Sequence, residues 1–308
     1  MADLEIYVLN VGQADTAIIR TPGDHVIVID AVKPRKVRGV LDEIKPGGPI
    51  SHLIVTHPHL DHYSAVSSLL AAYPVQKVTL APFWYEPGTP GYHKIINRIQ
   101  EKHVPVRFLS GYERFYPDGG TYPAYENRPY VELLGPPNTI LEGLNKSHEL
   151  TPNHLSIIAR LTYEKFSMVF AADAQMENWA HYDTEGMLVK NCSILKAAHH
   201  GSRRGSQWER LERLAPGLVI VSSDPDSGHE LPDLIGSVIF LEYDRGKNRK
   251  VALTRKTGTI KIVVDNPGSG RYTAVSYGEE VGDGVPFGSE GPLRKTDWAE
   301  VVREKVGG

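Results

Sequence analysis

Apolar residues gather in short bursts along the opening of the chain, and each burst predicts a strand. Glu5–Leu9, Thr16–Arg20 and Val26–Ile29 are punctuated by Gly12 and the turn Pro22-Gly23-Asp24, which predicts an antiparallel start. From Lys36 to Ile44 the period changes: Val37, Val40, Leu41 and Ile44 share one face of a helix that stops at Pro46-Gly47-Gly48-Pro49. A buried strand, His52–Val55, follows, then helices over Tyr63–Ala72 and Tyr92–Lys102 with a strand over Lys77–Ala81 between them. Tyr112–Tyr130, rich in Tyr, Pro and Gly, predicts a long loop or small excursion that forms one wall of a cleft.

The pattern then repeats. Strands Leu155–Leu161 and Ser167–Ala171 flank the turn Glu164-Lys165, and helix Gln175–Tyr182, strand Ser193–Ala197, helix Ser206–Leu214 and strand Leu218–Val221 follow. Strands Val238–Leu241, Val251–Thr254 and Thr259–Val264 are expected to complete the second sheet. Two such halves predict an α/β (α+β) fold, a four-layer αββα sandwich of two facing sheets with helices outside. Residues 1–265 are expected to form this domain. Residues 266–308 are expected to be a glycine-rich C-terminal extension ending in a helix, Asp297–Lys305, which Trp298, Val301 and Val302 can dock.

Composition narrows the class. The 308 residues are 41% apolar and 23% charged, ordinary for a soluble protein with a sizeable core. No stretch approaches the roughly 18 apolar residues a membrane helix needs. The acidic start Met1-Ala2-Asp3-Leu4-Glu5 is unlike a secretory leader, so a cytoplasmic protein without membrane contact is expected. The single cysteine, Cys192, excludes an internal disulfide framework and a cysteine-built zinc cluster, and no disulfide-linked partner is expected. A formal charge of −3 gives no general attraction to polyanions, so such binding would need a local basic patch.

Four metal-capable residues lie within His57-Pro58-His59-Leu60-Asp61-His62, directly after a buried strand, where the chain must turn and side chains can converge. His57 and His59 suit one ion and Asp61 and His62 a second, with ligand types fitting two divalent cations, zinc or manganese. The bland alternative is a solvated histidine-rich turn.

This segment resembles the HxHxDH signature of the metallo-β-lactamase superfamily. Within it, the chain is most similar to the soluble domain of ComEC-type competence proteins and their free-standing relatives. Leu9–Asp15 resembles the opening "VGQGD" turn, Leu195–Ser202 the "LKxxHHGS" segment, and Leu253–Ile262 the closing "RTxxxGxI" strand pair. The resemblance covers approximately residues 4 to 265 and implies the sandwich fold and a two-metal site. Asp173, ending the apolar strand Met168–Ala172, matches the family's metal-bridging aspartate, although it also suits the N-cap of the next helix. Neighbouring His199 and His200 cannot both face one site from a regular strand, so the chain must turn there. The resemblance implies His200 as ligand and His199 as a substrate-binding or proton-donating residue, with the reverse left open. The family's usual third histidine of the first site falls near Asn153-His154, where ComEC-type proteins carry an asparagine-rich pattern; His154 is a ligand or a strand residue facing solvent.

Asp15 and Asp30 are candidate acceptors behind the metal-bound histidines, Asp30 equally a turn residue. His229 resembles a histidine of the family's late "GHP" turn, with Glu230 replacing the proline; it contacts substrate or is an ordinary loop residue. Lys196, Arg203 and Arg204 are candidate phosphate contacts, and the run Arg245–Lys250 fits either phosphates or a solvated hairpin. The expected reaction is phosphodiester hydrolysis by water activated between two ions, with Asp61 orienting it and His199 protonating the leaving oxygen. DNA is the substrate the resemblance implies. Lactone or thioester hydrolysis is the alternative chemistry, and a metal-bound DNA- or protein-binding adaptor the non-catalytic one; the cations favour phosphate.

Overall fold

Strands that are apolar throughout must be covered on both faces, and this dictates the layering. The computed structural model describes residues 3–82, 90–120, 127–144, 151–184, 190–224, 230–278 and 289–307. Leu4–Val8 (β1), Ala17–Arg20 (β2) and Val26–Ile29 (β3) pair antiparallel in succession. After helix Pro34–Ile44 (α1), strands His52–Val55 (β4), Val78–Leu80 (β5) and Val106–Phe108 (β6) add to β3 in parallel. Helices Leu60–Tyr63 (α2), Val66–Ala72 (α3) and Pro90–Glu101 (α4) connect them.

The second half repeats the scheme. Tyr112–Phe115 (β7), Tyr130–Leu134 (β8), Ile158–Tyr163 (β9) and Phe166–Phe170 (β10) are antiparallel, with helix Asn138–Leu144 (α5) between β8 and β9. Helix Met176–Thr184 (α6) leads to strand Ile194–Lys196 (β11), helix Trp208–Leu214 (α7) to Leu218–Val221 (β12), and helix Leu234–Asp244 (α8) to Lys250–Leu253 (β13). These three strands extend the sheet in parallel. A single helical turn, Thr254–Thr257 (α9), precedes Thr259–Val264 (β14), Thr273–Tyr277 (β15), Glu290–Pro292 (β16) and the final helix Trp298–Gly307 (α10).

Among the described residues the strands form a sheet of nine, from β16 through β1 to β6, and one of seven, from β13 to β7. Period-two alternation divides their side chains between layers. Leu4, Ile6, Val8, Ile27 and Ile29 of the first sheet meet Met168, Phe170, Ile194 and Ile220 of the second. Tyr7, Val26 and Val28 face outward onto Val37, Val40, Leu41 and Leu69 of the helices, while Val169, Leu195 and Val219 face Leu211, Phe240 and Trp298. This is the expected four-layer sandwich. Among the described residues no helix is long and apolar enough to cross a membrane.

Four local expectations differ from the structure. Val238–Leu241, expected as a strand, lies inside α8. The run Leu-Ile-Gly-Ser-Val-Ile-Phe-Leu is apolar on all sides, and the Asp233 carboxylate caps its start by accepting the Gly236 N–H. β14 does not finish the second sheet: Gly258, at φ 80°, turns the chain back so that β14 pairs antiparallel with β1. β9 begins at Ile158, because Pro152–Leu155 winds as a 3-10 turn. The long loop expected over Tyr112–Tyr130 opens with strand β7 and runs into β8, its middle, 121–126, lying outside the described residues. In both halves the parallel strands end on the same side, where open α/β sheets place their sites.

Candidate metal centre

Four of the strands ending there contribute polar residues. Asp30 follows β3, His57 follows β4, Asp173 follows β10, and His199 and His200 follow β11. Four of the turning residues hold left-handed backbone without being glycine: Asp30 at φ 56°, Ala172 at 49°, His199 at 47° and His200 at 51°. Strain of this kind persists where the surroundings over-determine it, commonly at functional sites. The consecutive pair at His199 and His200 is the turn that two adjacent histidines require, and it aims both rings at Asp173.

Asp173 is the hub. Its Oδ1 lies 3.3 Å from His62 Nε2 and 3.6 Å from His200 Nε2, and its Oδ2 lies 4.0 Å from His57 Nε2 and 3.9 Å from His199 Nε2. Asp61 Oδ2 approaches His200 Nε2 at 3.4 Å, and His57 Nε2 stands 2.8 Å from His59 Nδ1. Two groups that share Asp173 therefore present donors within 4.8 Å of one another, Asp61, His62, Asp173 and His200, and His57, His59 and Asp173, and a third, Asp15, Asp30 and His62, lies behind them. His62 Nε2, His200 Nε2 and Asp173 Oδ1 are buried and lack hydrogen-bond partners, so nitrogen and oxygen lone pairs face a common point, as a cation requires. The residues fit divalent ions of the kind that accept mixed imidazole and carboxylate ligands.

The rear of the cluster is braced. Asp30 accepts hydrogen bonds from the Thr56 N–H at 2.7 Å, the Thr56 hydroxyl at 2.6 Å and His62 Nδ1 at 2.8 Å, which holds the His62 ring in place. His200 Nδ1 donates to the Ser222 carbonyl at 3.0 Å, with Asp15 Oδ1 at 3.5 Å. Burial opposes charge on His62 and His200, yet Asp30 and Asp173 hold His62 well above its usual pKa, and Asp173 and Asp15 raise His200. Burial likewise opposes charge on Asp173 and Asp61, but His62 and His200 keep Asp173 well below the carboxylate range, and the same two imidazoles lower Asp61. His57 and His199, by contrast, are pushed down by burial. Without a cation, the surrounding carboxylates favour protons on His62 and His200.

Several expected site residues lie elsewhere. His154 does not join the cluster. Its Nδ1 accepts the Thr151 N–H at 2.9 Å, completing a capping box, and its Nε2 pairs with Glu177 at 3.1 Å. Lys196, expected to face substrate phosphate, is buried and its ammonium is taken by Asp15 at 2.7 Å. Arg203 and Arg204 are exposed on the turn two and three residues past Gly201. The basic run is held in ion pairs, Arg245 with Glu242 at 2.6 Å and Arg249 with Glu212 at 2.8 Å. His229 lies outside the described residues. Residues that the sequence did not mark are Thr56, Ser222, Ser156, whose hydroxyl is 3.5 Å from His57 Nδ1, and Asn153, whose amide is 3.1 Å from His199 Nε2. Of these only Asn153 carried a signal, as the asparagine beside His154.

Residues 9–223 match the family described as the metallo-beta-lactamase superfamily. No curated protein matches the sequence. Among solved structures, the chain is similar to CmlA, a diiron beta-hydroxylase from Streptomyces venezuelae, at 14% identity and a TM-score of 0.51, covering 82% of this chain and 52% of that one. This chain thus spans about half the length of that enzyme. It is also similar to a metallo hydrolase, Igni18, from Ignicoccus hospitalis, at 11% identity, a TM-score of 0.47 and coverage of 84% and 98%. A diphosphatase from the PhnP family matches at 11% identity, a TM-score of 0.45 and coverage of 81% and 94%.

Proposed function

Because the chain belongs to the metallo-beta-lactamase superfamily, we propose that it is a metal-dependent hydrolase of phosphodiesters, with DNA the first substrate to test. The observation that carries this reading is the pair Arg203 and Arg204, exposed on the turn that leads out of His200. Two guanidinium groups beside a metal-capable cluster suit an anionic ester better than an uncharged acyl group. The likeness of Leu9–Asp15 and Leu195–Ser202 to ComEC-type segments supports a nucleic-acid substrate.

Asp61, His62, Asp173 and His200 would hold one cation and His57, His59 and Asp173 a second, zinc or manganese by donor type. Bound there, the ions would supply the Lewis acidity that makes water reactive and offsets charge at phosphorus. Asp61 is the most exposed of the carboxylates in the cluster, at 34% of its side chain, and it orients the attacking water. Burial lowers the His199 pKa, which favours the neutral imidazole, and the Asn153 amide lies 3.1 Å from its Nε2, so His199 serves as a substrate-binding or proton-transferring group.

The test is metal analysis of purified protein, iron included because CmlA is a diiron enzyme. It is followed by parallel assays on bis-nitrophenyl phosphate, a simple lactone and DNA at controlled salt, with zinc, manganese and magnesium. Phosphodiester turnover lost in Asp173→Ala and weakened in a double Arg203→Ala, Arg204→Ala variant supports the proposal. Lactone turnover indifferent to both arginines would replace it with the acyl-hydrolase reading, and DNA binding without turnover in any metal with the adaptor.

A further inference from the structure

A buried charge pair lies beneath the cluster. Lys196 ends β11 on the same face as Ile194, so its side chain enters the layer between the sheets, where it is 3% exposed. Its Nζ is 2.7 Å from Oδ1 and 2.9 Å from Oδ2 of Asp15, and it donates to the Ala197 carbonyl at 3.1 Å. Asp15 arrives from the other sheet, in the loop between β1 and β2, 181 positions away in sequence. A cavity of about 10 Å³, lined by Asp15, Thr16, Asp30, Thr56 and Lys196 among others, lies between this pair and the Asp30 bracket behind His62.

Such a pair is poor at stabilising a fold, because the desolvation of both ions cancels much of their attraction. What it does instead is hold a carboxylate still. Asp15 Oδ1 is 3.5 Å from His200 Nδ1, on the side opposite the Nε2 that faces Asp61 and Asp173. The Nδ1 hydrogen bond itself goes to the Ser222 carbonyl at 3.0 Å, and the Asp15 carboxylate beside it adds negative charge that favours a proton on Nδ1 and leaves Nε2 free to ligate.

We propose that Lys196 is a positioning residue: its ammonium clamps Asp15, and Asp15 with the Ser222 carbonyl fixes His200 for the cation site of Asp61, His62, Asp173 and His200. The proposal rests on reading that cluster as a cation site. Without the ammonium, the Asp15 carboxylate loses the partner that holds it and is free to turn away from His200.

Protein stripped of metal is titrated with cobalt(II) against a chromophoric chelator, following affinity and the visible cobalt spectrum. Lys196→Met is expected to weaken the tighter cobalt by about 10- to 100-fold and shift its band, the usual effect of removing a group behind a ligand. Lys196→Arg should restore part of both. The control Arg210→Met breaks the Arg210–Asp183 pair on the far side of the second sheet and should leave cobalt binding unchanged whatever it does to stability. A folded Lys196→Met protein with wild-type affinity and spectrum overturns the proposal; should that variant not fold, unchanged binding in both Lys196→Arg and Asp15→Asn overturns it. Failure of the wild type itself to take up cobalt or zinc overturns the cation-site reading first, and this proposal with it.

Discussion

A buried nitrogen or oxygen left without a partner costs about 1–3 kcal/mol, and His62 Nε2, His200 Nε2 and Asp173 Oδ1 share that condition around one point. A cation removes the cost for all three, so Asp173→Ala should abolish stoichiometric metal uptake and lower turnover about a hundredfold or more. His154→Ala should do neither. It loses the capping contact to Thr151 and the pairing to Glu177, which costs about 0.5–2 kcal/mol of stability, while inductively coupled plasma analysis finds the same metal content. Metal loss in His154→Ala would return that residue to the site. A second histidine acts on stability alone. His52, buried in β4 with Nε2 2.8 Å from Thr79 Oγ1, is pushed down by burial, and further by Lys77, to about 3. Its neutral form is the folded one, so its contribution is complete above the unfolded value near 6.5 and is lost at up to about 1.4 kcal/mol per pH unit as pH falls toward 3. His52→Leu should flatten that limb of a melting-temperature profile; an unchanged slope would remove His52 as its source.

At the scale of elements, the site depends on how closely α8 approaches the histidine turn. Gly201 lies at φ 85° with Phe240 and Pro232 about it, and a Cβ on Gly236 would run into the Gly201 carbonyl oxygen. Gly236→Ala should therefore cost about 1–3 kcal/mol as overpacking, and because Gly201 follows His200 it should also loosen metal binding. A calorimetric melt without any change in metal affinity would confine α8 to a structural role. This dependence was hidden in the sequence for a definite reason. An apolar run such as Leu234–Leu241 has no clear period, and only Asp233, a capping residue, distinguishes helix from strand. β14 was legible as a strand but not by sheet, since alternation records burial and not partner. The cluster His57–His62 with Asp173 was legible because metal-capable residues seldom gather by chance at strand ends, and His200 was legible from the family likeness. His154 misled because a histidine at the third position of a cap and a histidine ligand look alike until the partner, Glu177, is known. Lys196 misled because a lysine is assumed to reach solvent.

Across the whole molecule, the cation site is where the two halves of the chain meet: Asp61 and His62 come from the first, Asp173 and His200 from the second. In the metal-free protein the carboxylates at this junction favour protons on its histidines. His62, raised well above its ordinary value against the opposition of burial, contributes stability that is full below the unfolded value near 6.5 and is lost as pH rises through its folded value. His200 follows the same sign. A metal needs both imidazoles neutral and must displace those protons, so affinity has the opposite slope, weakening as pH falls. The expected outcome is that log K for the first cation rises by about one to two per pH unit between pH 6 and 8. The stabilisation on loading should widen over the same interval, because bound ligand adds RT ln(1 + [L]/Kd) to the folded state. Chelator competition at several pH values measures the first, and calorimetry in buffers of different ionisation enthalpy counts the protons released. An affinity that is level across this range would mean that His62 and His200 are already neutral without metal, and that something other than their protons balances Asp30, Asp61 and Asp173.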